Sequence, residues 1–504
     1  MLDLNAPILT EPKEPRTIDP KWSRYQGDIF EFVDLETGSA IVEAVAGSGK
    51  TTTILESMNF ISRSGAVTFL AFNRSIADEL KTRVPSGVEA STFHAMGNRA
   101  LSAHKKLKLN KRRVQDIIEK TFDDKYKSAF YPARQLVDLA RNVGLGLPGM
   151  PDFDLPALAL LADDYDIAPR EKDGLDLMLA VARSALLTMN ATSGKDFDFT
   201  DMLYLPLLWN LPFPKSEMLY VDEAQDLNTI QHMILERALA KNGRVIAVGD
   251  TNQAIYGFRG ADSSSMLTLR NLFNAKPFPL SISYRCPKAI VELMQDIVPH
   301  IRSAPNAIDG SITDVDELPE LVSLTVDDMV LCRNNAPLIG FALRMLGERR
   351  PMRVLGDFGD KLISFIRSFK TEDINIFTSR LEEWRDNETA RLTSREQWSK
   401  LAIVDDKYAA IQMIMKGCRS VEDIKSVLVK IFEQGHGPII SSIHKAKGME
   451  ADRVFLLYPE LMPSKYARSI SALQQEKNLL YVACTRAKRD LIRIYQPQED
   501  FPNE

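Results

Sequence analysis

A glycine-rich loop that ends in lysine and threonine lies near the start of this 504-residue chain. Residues 44–51 read Ala-Val-Ala-Gly-Ser-Gly-Lys-Thr, after an apolar run and before a helical pattern over residues 51–60. Backbone N–H groups of such a loop close around phosphate oxygens, and the following helix adds the positive end of its dipole. Lys50 is placed to reach the β- and γ-phosphates, and the Thr51 hydroxyl to bind Mg²⁺. The pattern predicts a nucleoside triphosphate site.

Two further segments carry groups that suit work on a triphosphate. Residues 218–226 form an apolar run that ends in acids. Asp222 is therefore a candidate ligand of the Mg²⁺, and Glu223 a candidate base that orients and deprotonates an attacking water. The next apolar run, over residues 244–249, precedes Gln253, whose amide suits a sensor of the γ-phosphate or of that water.

Two aromatic side chains and an arginine follow this sensor closely: Tyr256, Phe258 and Arg259. Nucleobases are natural partners for such a group, because every base has a π-face on which an aromatic ring can stack. The two aromatics also suit a hydrophobic core. Their spacing leaves both interpretations open.

The elements that must position these groups alternate between short apolar runs and helical patterns, which is typical of α/β units with a parallel sheet. Two mainly helical segments interrupt the alternation, so we expect two α/β domains that each carry a helical insertion. Strands are predicted over residues 40–44, 66–71, 218–222, 244–249, 329–332, 352–355, 438–443, 453–457 and 491–495. In the first insertion, helices are predicted over residues 114–122, 133–143 and 175–188.

The predicted domain boundaries follow from this alternation. The first α/β domain comprises residues 1–93, with an extended N-terminal arm, and 197–278, and its insertion comprises residues 94–196. The second α/β domain comprises residues 279–356 and 435–504, and its insertion comprises residues 357–434.

Composition and charge narrow the class of protein. The net charge of −5 argues mildly against tight nonspecific binding to nucleic acid. One basic cluster suits either phosphate contacts or a solvated helix face, and both remain open: Lys105, Lys106, Lys108, Lys111, Arg112 and Arg113. The four cysteines are far apart, and no apolar run approaches the roughly 18 residues of a membrane helix. We therefore expect a cytoplasmic protein that does not enter membranes.

The motifs, taken in order, resemble those of superfamily-one DNA helicases of the UvrD/Rep/PcrA type. The resemblance extends over residues 26–487. It is carried by an adenine-reading glutamine motif at 24–26, motif I at 46–51, motif Ia at 71–74, Thr-Phe-His at 92–94, an Asp-containing segment at 199–202, motif II at 222–226, motif III at 249–261, motif IV at 283–285, motif V at 444–450 and motif VI at 476–487. Residues 71–77 also resemble the F-box helicase branch and its phage relatives.

The resemblance implies two RecA-like P-loop domains with parallel sheets, each with a mainly helical insertion, and ATP and Mg²⁺ as cofactors. The implied catalytic residues are Lys50, Asp222, Glu223, Gln253, Arg285 and Arg486. The implied nucleotide contacts are Gln26, Ala46, Gly47, Ser48, Gly49, Lys50, Thr51, Thr52, Tyr284, Arg285, Gly448, Glu450 and Arg486, with Thr51 and Asp222 as ligands of Mg²⁺. The implied contacts to single-stranded DNA are Phe72, Thr92, His94, Tyr256, Phe258, Arg259 and His444.

Individual roles follow from the same resemblance. Tyr284 stacks on adenine, and Gln26 hydrogen-bonds the edge of that base. Gly448 and Glu450 lie near the γ-phosphate and the ribose. Arg285 and Arg486 come from the second domain and neutralise charge on the transferring phosphoryl group, which makes hydrolysis depend on domain closure.

The sequence departs from the family pattern in three places. Phe258 stands where motif III usually has tryptophan, so stacking is retained with less area and without an N–H donor. Thr52 stands where relatives often carry an arginine beside the base, so selectivity for adenine is in doubt. The second insertion is much smaller than in UvrD-type enzymes, which puts the mode of duplex binding in doubt and leaves the motor intact.

Three functional hypotheses follow. The first is an ATP-driven translocase on single-stranded DNA that unwinds duplexes in the 3′-to-5′ direction, in repair, recombination or replication. The second is a translocase that strips proteins from single strands with little unwinding. The third is a nucleotide-gated binding module without motor activity. Single-stranded and tailed duplex DNA are the expected partners, and a nucleoid-associated protein or a phage protein in host cytoplasm is the expected setting. Protein partners are not indicated, and a monomer is the working expectation.

Overall fold

The computed structural model describes residues 17–62, 65–71, 73–165, 167–169, 174–191, 195–255, 264–433 and 435–496. The chain divides into two compact units. The first contains the described parts of residues 1–44, 49–251 and 256–281. The second contains residues 45–48 and 252–255 and the described parts of 282–504. Two short segments that lie in sequence between parts of the first unit thus belong to the second unit.

The first unit is built on a six-stranded parallel sheet in the order β3-β2-β6-β7-β1-β8. The strands of this unit are β1 Ala40–Ala44, β2 Val67–Ala71, β3 Val88–Thr92, β4 Lys108–Leu109, β5 Asp196–Phe197, β6 Ser216–Val221, β7 Leu239–Gly249 and β8 Lys276–Leu280. Its helices are α1 Arg24–Leu35, α2 Lys50–Ser57, α3 Arg74–Leu80, α4 Phe93–His104, α5 Arg113–Thr121, α6 Lys127–Asn142, α7 Leu155–Asp164, α8 Leu175–Ala191, α9 Asp201–Leu208, α10 Thr229–Ala238 and α11 Ser265–Leu272. Strands β4 and β5 form a separate parallel pair.

The central strands are apolar because both faces of the sheet are covered. All five residues of β2 are buried, as are four of the five in β1. Parallel strands in this setting read as continuous apolar runs rather than as alternating ones. This is why their positions could be predicted from the sequence.

Helices α5 to α8 form a core of their own. Their buried side chains cluster with one another, from Val114 on α5 to Met189 on α8, and the sheet contributes none of the buried members of that cluster. Two buried arginines of these helices, Arg113 on α5 and Arg141 on α6, are neutralised by aspartates. Arg141 bonds to Asp198 and Asp201 at 3.0 and 2.8 Å, and Arg113 bonds to Asp201 at 2.5 Å.

The second unit has its own six-stranded parallel sheet, in the order β11-β16-β15-β12-β14-β13. The strands of this unit are β9 Ile282–Ser283, β10 Arg302–Ser303, β11 Ser311–Val315, β12 Asp328–Cys332, β13 Arg353–Val354, β14 Ile439–Ser442, β15 Ala451–Leu457 and β16 Ala487–Ile494. Its helices are α12 Lys288–Met294, α13 Asn335–Gly347, α14 Phe358–Ser368, α15 Ile374–Thr393, α16 Trp398–Met415, α17 Val421–Phe432, α18 Ile443–Ala446 and α19 Ile470–Cys484.

Helices α14 to α17 share one core with this sheet. Leu362, Ile411 and Leu428 on these helices belong to the same buried cluster as Val330 of β12 and Ile440 of β14. The second helical segment therefore differs from the first, which has a separate core.

The predicted fold class is confirmed, because both units are α/β with parallel sheets and additional helices. The sequence prediction missed β3, β8 and β11, which are short or carry polar residues and prolines, and it missed α7. Strand β8 extends to Leu280 and pairs with β1, so it crosses the boundary predicted at residue 278. The other boundaries remain predictions. Within the described part of the chain, no helix combines the length and the apolar character needed to cross a membrane.

The predicted helix over residues 133–143 was too short. Helix α6 begins at Lys127 and contains Pro132 in its interior. Proline normally breaks a helix, because it lacks a backbone N–H and its ring clashes with the preceding turn. Burial of Ala129, Pro132 and Ala133 against the neighbouring helices outweighs that preference.

Candidate active site

The loop after β1 has the conformation of a phosphate cradle. Gly47 and Gly49 have φ values of +71° and +75°, a region that side chains other than glycine rarely adopt. Gly49 is the N-cap of α2, and no side chain caps that helix. The N–H groups of its first turn thus lack intrahelical acceptors. Ser48 is buried, and its Oγ has no hydrogen-bond partner among the described residues.

The order of the sheet brings three loops to one edge. Strands β6, β7 and β1 are neighbours and parallel, so the segments that follow them leave at the same end. In open α/β sheets this end is where ligands bind. It carries Lys50 and Thr51 after β1, Asp222 and Glu223 after β6, and Asp250 after β7.

The predicted catalytic side chains of the first unit contact one another directly. The Lys50 ammonium lies 3.3 Å from each carboxylate oxygen of Glu223. The Thr51 hydroxyl donates to Asp222 Oδ2 at 2.8 Å. Asp222 is buried, and its other oxygen accepts the backbone N–H of Glu223 at 2.8 Å. The two pairs are therefore adjacent in the fold, although their members are 171 positions (Thr51 and Asp222) and 173 positions (Lys50 and Glu223) apart in sequence.

The charges in this cluster shift the pKa values of their neighbours. Burial opposes the charge on Lys50, but the carboxylates of Glu223, Asp250 and Asp222 outweigh it and hold the pKa of Lys50 above its usual value. Burial, together with the nearby charge of Glu223, raises the pKa of Asp222. A divalent cation beside Asp222 would favour its ionised form.

Gln225 is a positioning residue that the sequence prediction missed. Its side-chain NH₂ donates to Glu223, and its Oε1 accepts the backbone N–H of Asp250 at 3.0 Å. It thus links the segment after β6 to the segment after β7. A glutamine in an acidic run carries no local signal of this role, because the link depends on strand order.

Gln26 lies close to the helix that follows the phosphate loop. Its Nε2 donates to Thr53 Oγ1 on α2 at 3.0 Å. Its Oε1 accepts from Ser23 in the capping box that begins α1. The same amide thus has a structural role, and its reading of adenine remains a prediction. Thr52 is exposed on the first turn of α2.

In the second unit, the predicted nucleotide residues form a second group. Arg285 Nε donates to Glu450 at 2.6 Å, and the adjacent Tyr284 is 48% exposed, as a stacking platform must be. A Cβ atom at Gly47 would lie 2.5 Å from Cβ of Arg285, so only glycine fits there. Gly448 has a φ of +85°.

Arg486 is held differently from Arg285. Its side chain is buried and donates to the carbonyls of Val482 and Met449 at 2.9 and 3.1 Å. Its guanidinium is thus oriented by backbone acceptors of the second unit.

Three residues of motifs V and VI had no role in the sequence prediction. In the structure they bind the backbone of residues 45–48 and 252–255, the two short segments that belong to the second unit. The Tyr481 hydroxyl accepts the N–H of Ala46 at 2.8 Å. Lys447 Nζ donates to the carbonyl of Gln253 at 2.8 Å, and Asn478 Nδ2 donates to that of Ala254 at 2.9 Å. Each acts on a backbone atom, which no sequence pattern reports.

The predicted DNA contacts are only partly described. Thr92 caps α4 by accepting the N–H of Ala95, and His94 is half-buried, with its pKa lowered by burial. His444 lies on α18. The remaining predicted contacts lie outside the described residues: Phe72, Tyr256, Phe258 and Arg259.

The basic cluster is not a single solvated helix face, and its alternative role in phosphate contacts stays a prediction. Lys105 follows α4, Lys108 is on β4, and Arg112 is the N-cap of α5, so no single helix face carries them. Arg113 is buried and paired with Asp201, and it is not part of any surface.

The residues present fit ATP with Mg²⁺. A hydroxyl and a carboxylate, from Thr51 and Asp222, are ligands that Mg²⁺ prefers. No group of three or more His, Cys, Asp or Glu side chains among the described residues could hold a metal by itself. The ion would therefore need further ligands from phosphate oxygens and water, as Mg²⁺ usually has.

Comparison with known proteins agrees with this site. Residues 31–259 match the family model of an AAA domain, and residues 360–498 match that of the UvrD-like helicase C-terminal domain. The chain belongs to the UvrD/PcrA type of superfamily-one helicases. The first match contains the phosphate loop and both acids, and the second contains Glu450 and Arg486. Gln26, Tyr284 and Arg285 lie outside both matches.

Two curated relatives illustrate this similarity. F-box DNA helicase protein 1 of Schizosaccharomyces pombe is 25% identical over a 499-residue alignment that covers 90% of the chain and 55% of the relative. ATP-dependent DNA helicase PcrA of Staphylococcus epidermidis is 26% identical over a 294-residue alignment that covers 54% of the chain and 39% of the relative. The chain thus spans about half the length of the curated relatives it matches. A crystal structure of the helicase Arterivirus nonstructural protein 10 covers 95% of the chain at 12% identity. The TM-score of 0.34 is too low to indicate a shared overall fold.

Proposed function

We propose that this helicase couples ATP hydrolysis to movement along single-stranded DNA, in the 3′-to-5′ direction, and unwinds tailed duplexes. The observation that carries the proposal is the pairing of Lys50 with Glu223 and of Thr51 with Asp222 beside an uncapped helix. Membership of the family supports ATP as the energy source. The DNA substrate and the direction of movement are proposed by analogy with members of the family. The pathway, whether repair, recombination or replication, is left open.

Each catalytic side chain has one proposed task. MgATP, when bound, supplies the phosphoryl group whose transfer to water releases energy. Lys50 and the N–H groups of the loop hold the phosphates, and Thr51 and Asp222 hold Mg²⁺. Glu223 orients a water and accepts its proton, and Gln253 senses that water or the γ-phosphate.

The second unit contributes charge and the adenine contact in this proposal. Arg285 and Arg486 neutralise charge that develops on the transferred group. Tyr284 stacks on adenine, with Gln26 at its edge, and Gly448 and Glu450 lie beside the γ-phosphate and ribose. The ion pair of Arg285 with Glu450 supports this arrangement, because two contacts of one nucleotide must lie close together.

The DNA path is proposed from the family motifs. Phe72, Tyr256, Phe258 and Arg259 would contact unpaired bases, with Thr92, His94 and His444 beside them. Hydrolysis would change the grip of these residues on the strand, which then advances.

The test measures ATPase activity with and without single-stranded DNA, followed by strand displacement on 3′-tailed and 5′-tailed duplexes. Wild type should show DNA-stimulated hydrolysis and should displace strands from the 3′-tailed substrate only. Lys50→Ala should lose both activities, and the exposed Lys81→Ala should retain both. Absence of DNA-stimulated ATPase in wild type would refute the motor.

A second candidate function is protein displacement from single strands with little unwinding. It is favoured by the second helical segment, which shares the core of the sheet and so adds no separate domain for gripping duplex. In this case wild type should remove a bound protein from single-stranded DNA yet fail on both tailed duplexes. Robust strand displacement by the purified chain would exclude it.

A further inference from the structure

Two buried polar residues on neighbouring helices of the first unit lie outside all the family motifs. His232 is on α10, and Ser265 is the first residue of α11. They are 5% and 1% exposed, and His232 Nε2 lies 2.8 Å from Ser265 Oγ. Burial of polar groups is unfavourable unless they form hydrogen bonds, so this contact stabilises both. The proposed ATP cycle gives neither of them a task.

The direction of the hydrogen bonds follows from a third partner. Ser265 Oγ lies 2.6 Å from the carbonyl oxygen of Ala224. A carbonyl oxygen can only accept, so the single hydroxyl proton of Ser265 is donated to Ala224. The hydroxyl must then accept from His232, whose Nε2 therefore carries a proton. The three residues form a chain of two hydrogen bonds that runs from a buried imidazole to a backbone carbonyl.

This chain of hydrogen bonds ends next to the proposed catalytic base. Ala224 follows Glu223 directly, and Glu223 has a left-handed φ of +51°. The carbonyl of Ala224 belongs to the peptide unit that contains the N–H of Gln225, and the Gln225 side chain donates to Glu223. The hydrogen bond from Ser265 thus fixes a peptide unit between Glu223 and the residue whose side chain binds its carboxylate.

The first turn of α11 also packs against the end of β7. A Cβ atom at Gly249 would lie 2.5 Å from Gln225 Oε1 and 2.7 Å from Met266 Sδ, so a side chain there would displace them. Met266 is buried and follows Ser265. Helix α11 therefore contacts the segment after β6 through a hydrogen bond and the end of β7 through close packing.

We infer that His232 and Ser265 are positioning residues for ATP hydrolysis, which hold Glu223 in the conformation that accepts a proton from water. Ser265 holds the Ala224 carbonyl, and His232 orients the Ser265 hydroxyl toward it. Both act through the backbone of the segment after β6 rather than on the substrate. The inference rests on the proposed function, because it requires Glu223 to be the catalytic base.

The test measures kcat and KM for ATP hydrolysis at a saturating concentration of single-stranded DNA. Ser265→Ala should lower kcat at least about tenfold, because misplacement of a catalytic group reduces the rate steeply. The KM for ATP should stay close to that of wild type, because the phosphate loop is unchanged. His232→Phe keeps a ring and removes the donor, so it should also lower kcat. His232→Gln keeps an N–H donor at a similar reach and should retain most of the rate.

A matched control removes a buried serine hydroxyl from the other end of β6. Ser216 is 2% exposed, and its Oγ lies 2.7 Å from Thr68 Oγ1. Ser216 begins the strand, whereas the acids follow its end. Ser216→Ala should therefore hydrolyse ATP like wild type, although it removes a comparable hydrogen bond. Thermal unfolding of every variant compares their losses of stability.

A double variant separates positioning of Glu223 from a general loss of structure. Ser265→Ala is combined with Glu223→Gln, and turnover is measured with enzyme in excess over ATP. If Ser265 acts through the Glu223 carboxylate, the double variant should be no slower than Glu223→Gln alone, since residues that act as a unit have non-additive effects. A further loss as large as that of the single Ser265→Ala change would overturn the positioning role.

The outcomes for the motor and for the two positioning residues are distinct. A kcat of wild-type size in Ser265→Ala would overturn the inference and leave the proposed motor standing. An equal loss in Ser216→Ala, or a His232→Gln variant as slow as His232→Phe, would also overturn it. Absence of DNA-stimulated hydrolysis in wild type would instead refute the proposed function, and this inference with it.

Discussion

At the scale of single residues, Glu223 shows how the backbone positions a side chain for which we propose a catalytic role. Its φ of +51° lies in the left-handed region, which costs a residue with a side chain of order 1–3 kcal/mol. The conformation directs its carboxylate to Lys50 and to the amide of Gln225. An unfavourable conformation held by such contacts at the end of a central strand is typical of a functional site.

The first prediction concerns this carboxylate. Glu223→Gln keeps the size of the side chain and removes its ability to accept a proton. We expect ATP turnover to fall by about 10²- to 10⁴-fold, the usual contribution of a general base, while ATP binding is retained. Turnover is measured by phosphate release and binding by a fluorescent ATP analogue. Glu217→Gln, at the exposed position near the start of β6, serves as the control.

An unchanged turnover in Glu223→Gln would count against the motor. It would instead favour the third hypothesis, a nucleotide-gated binding module without catalysis. A loss of ATP binding as well would show that Glu223 mainly holds Lys50 in place.

At the scale of elements, the start of α13 depends on a residue from a distant helix. Its own N-cap, Asn334, makes no capping hydrogen bond with its side chain. The carboxylate of Asp406 on α16 accepts the N–H groups of Asn335 and Ala336 instead, at 3.0 and 2.8 Å. A charged acceptor at a helix N-terminus is also favoured by the helix dipole.

The second prediction follows from this long-range cap. Asp406→Ala should lower the free energy of unfolding by about 0.5–2 kcal/mol, the range typical for loss of an N-cap. Urea denaturation followed by circular dichroism measures the difference. Glu382→Ala, an exposed acid on the neighbouring α15, should change the free energy of unfolding little. Equal effects of the two substitutions would mean that the cap contributes nothing measurable.

At the scale of the whole molecule, the two helical segments are integrated in different ways. Helices α5 to α8 bury their side chains among themselves, whereas α14 to α17 bury theirs against the sheet of the second unit. The first segment can therefore loosen without its sheet. The second cannot, because its helices complete the core.

The third prediction compares one leucine from each segment. Leu186 on α8 and Leu428 on α17 are both fully buried, and each substitution by alanine should cost about 2–5 kcal/mol of local stability. Leu428→Ala should accelerate amide hydrogen exchange in β12 and β14 as well as in its own helices. Leu186→Ala should accelerate exchange in α5 to α8 and leave β1, β2 and β6 unchanged. Exchange measured by mass spectrometry that spread equally in both variants would contradict the difference in cores.

The sequence by itself determined the fold class and the group of residues proposed for the ATP site. Buried parallel strands are apolar along their whole length, so their positions are visible as runs of residues. A phosphate loop and its acids use few residue types in a fixed local order, which a single sequence displays. Lys50, Thr51, Asp222 and Glu223 were identified in this way, and the structure brings these four together.

Only the tertiary structure decided which distant groups meet. The Tyr481 hydroxyl contacts the N–H of Ala46 across 435 positions, and Gln225 joins two loops because β6 and β7 are neighbours. Local patterns report that a residue is buried or polar but do not identify its partner, because partners are set by strand order and helix packing.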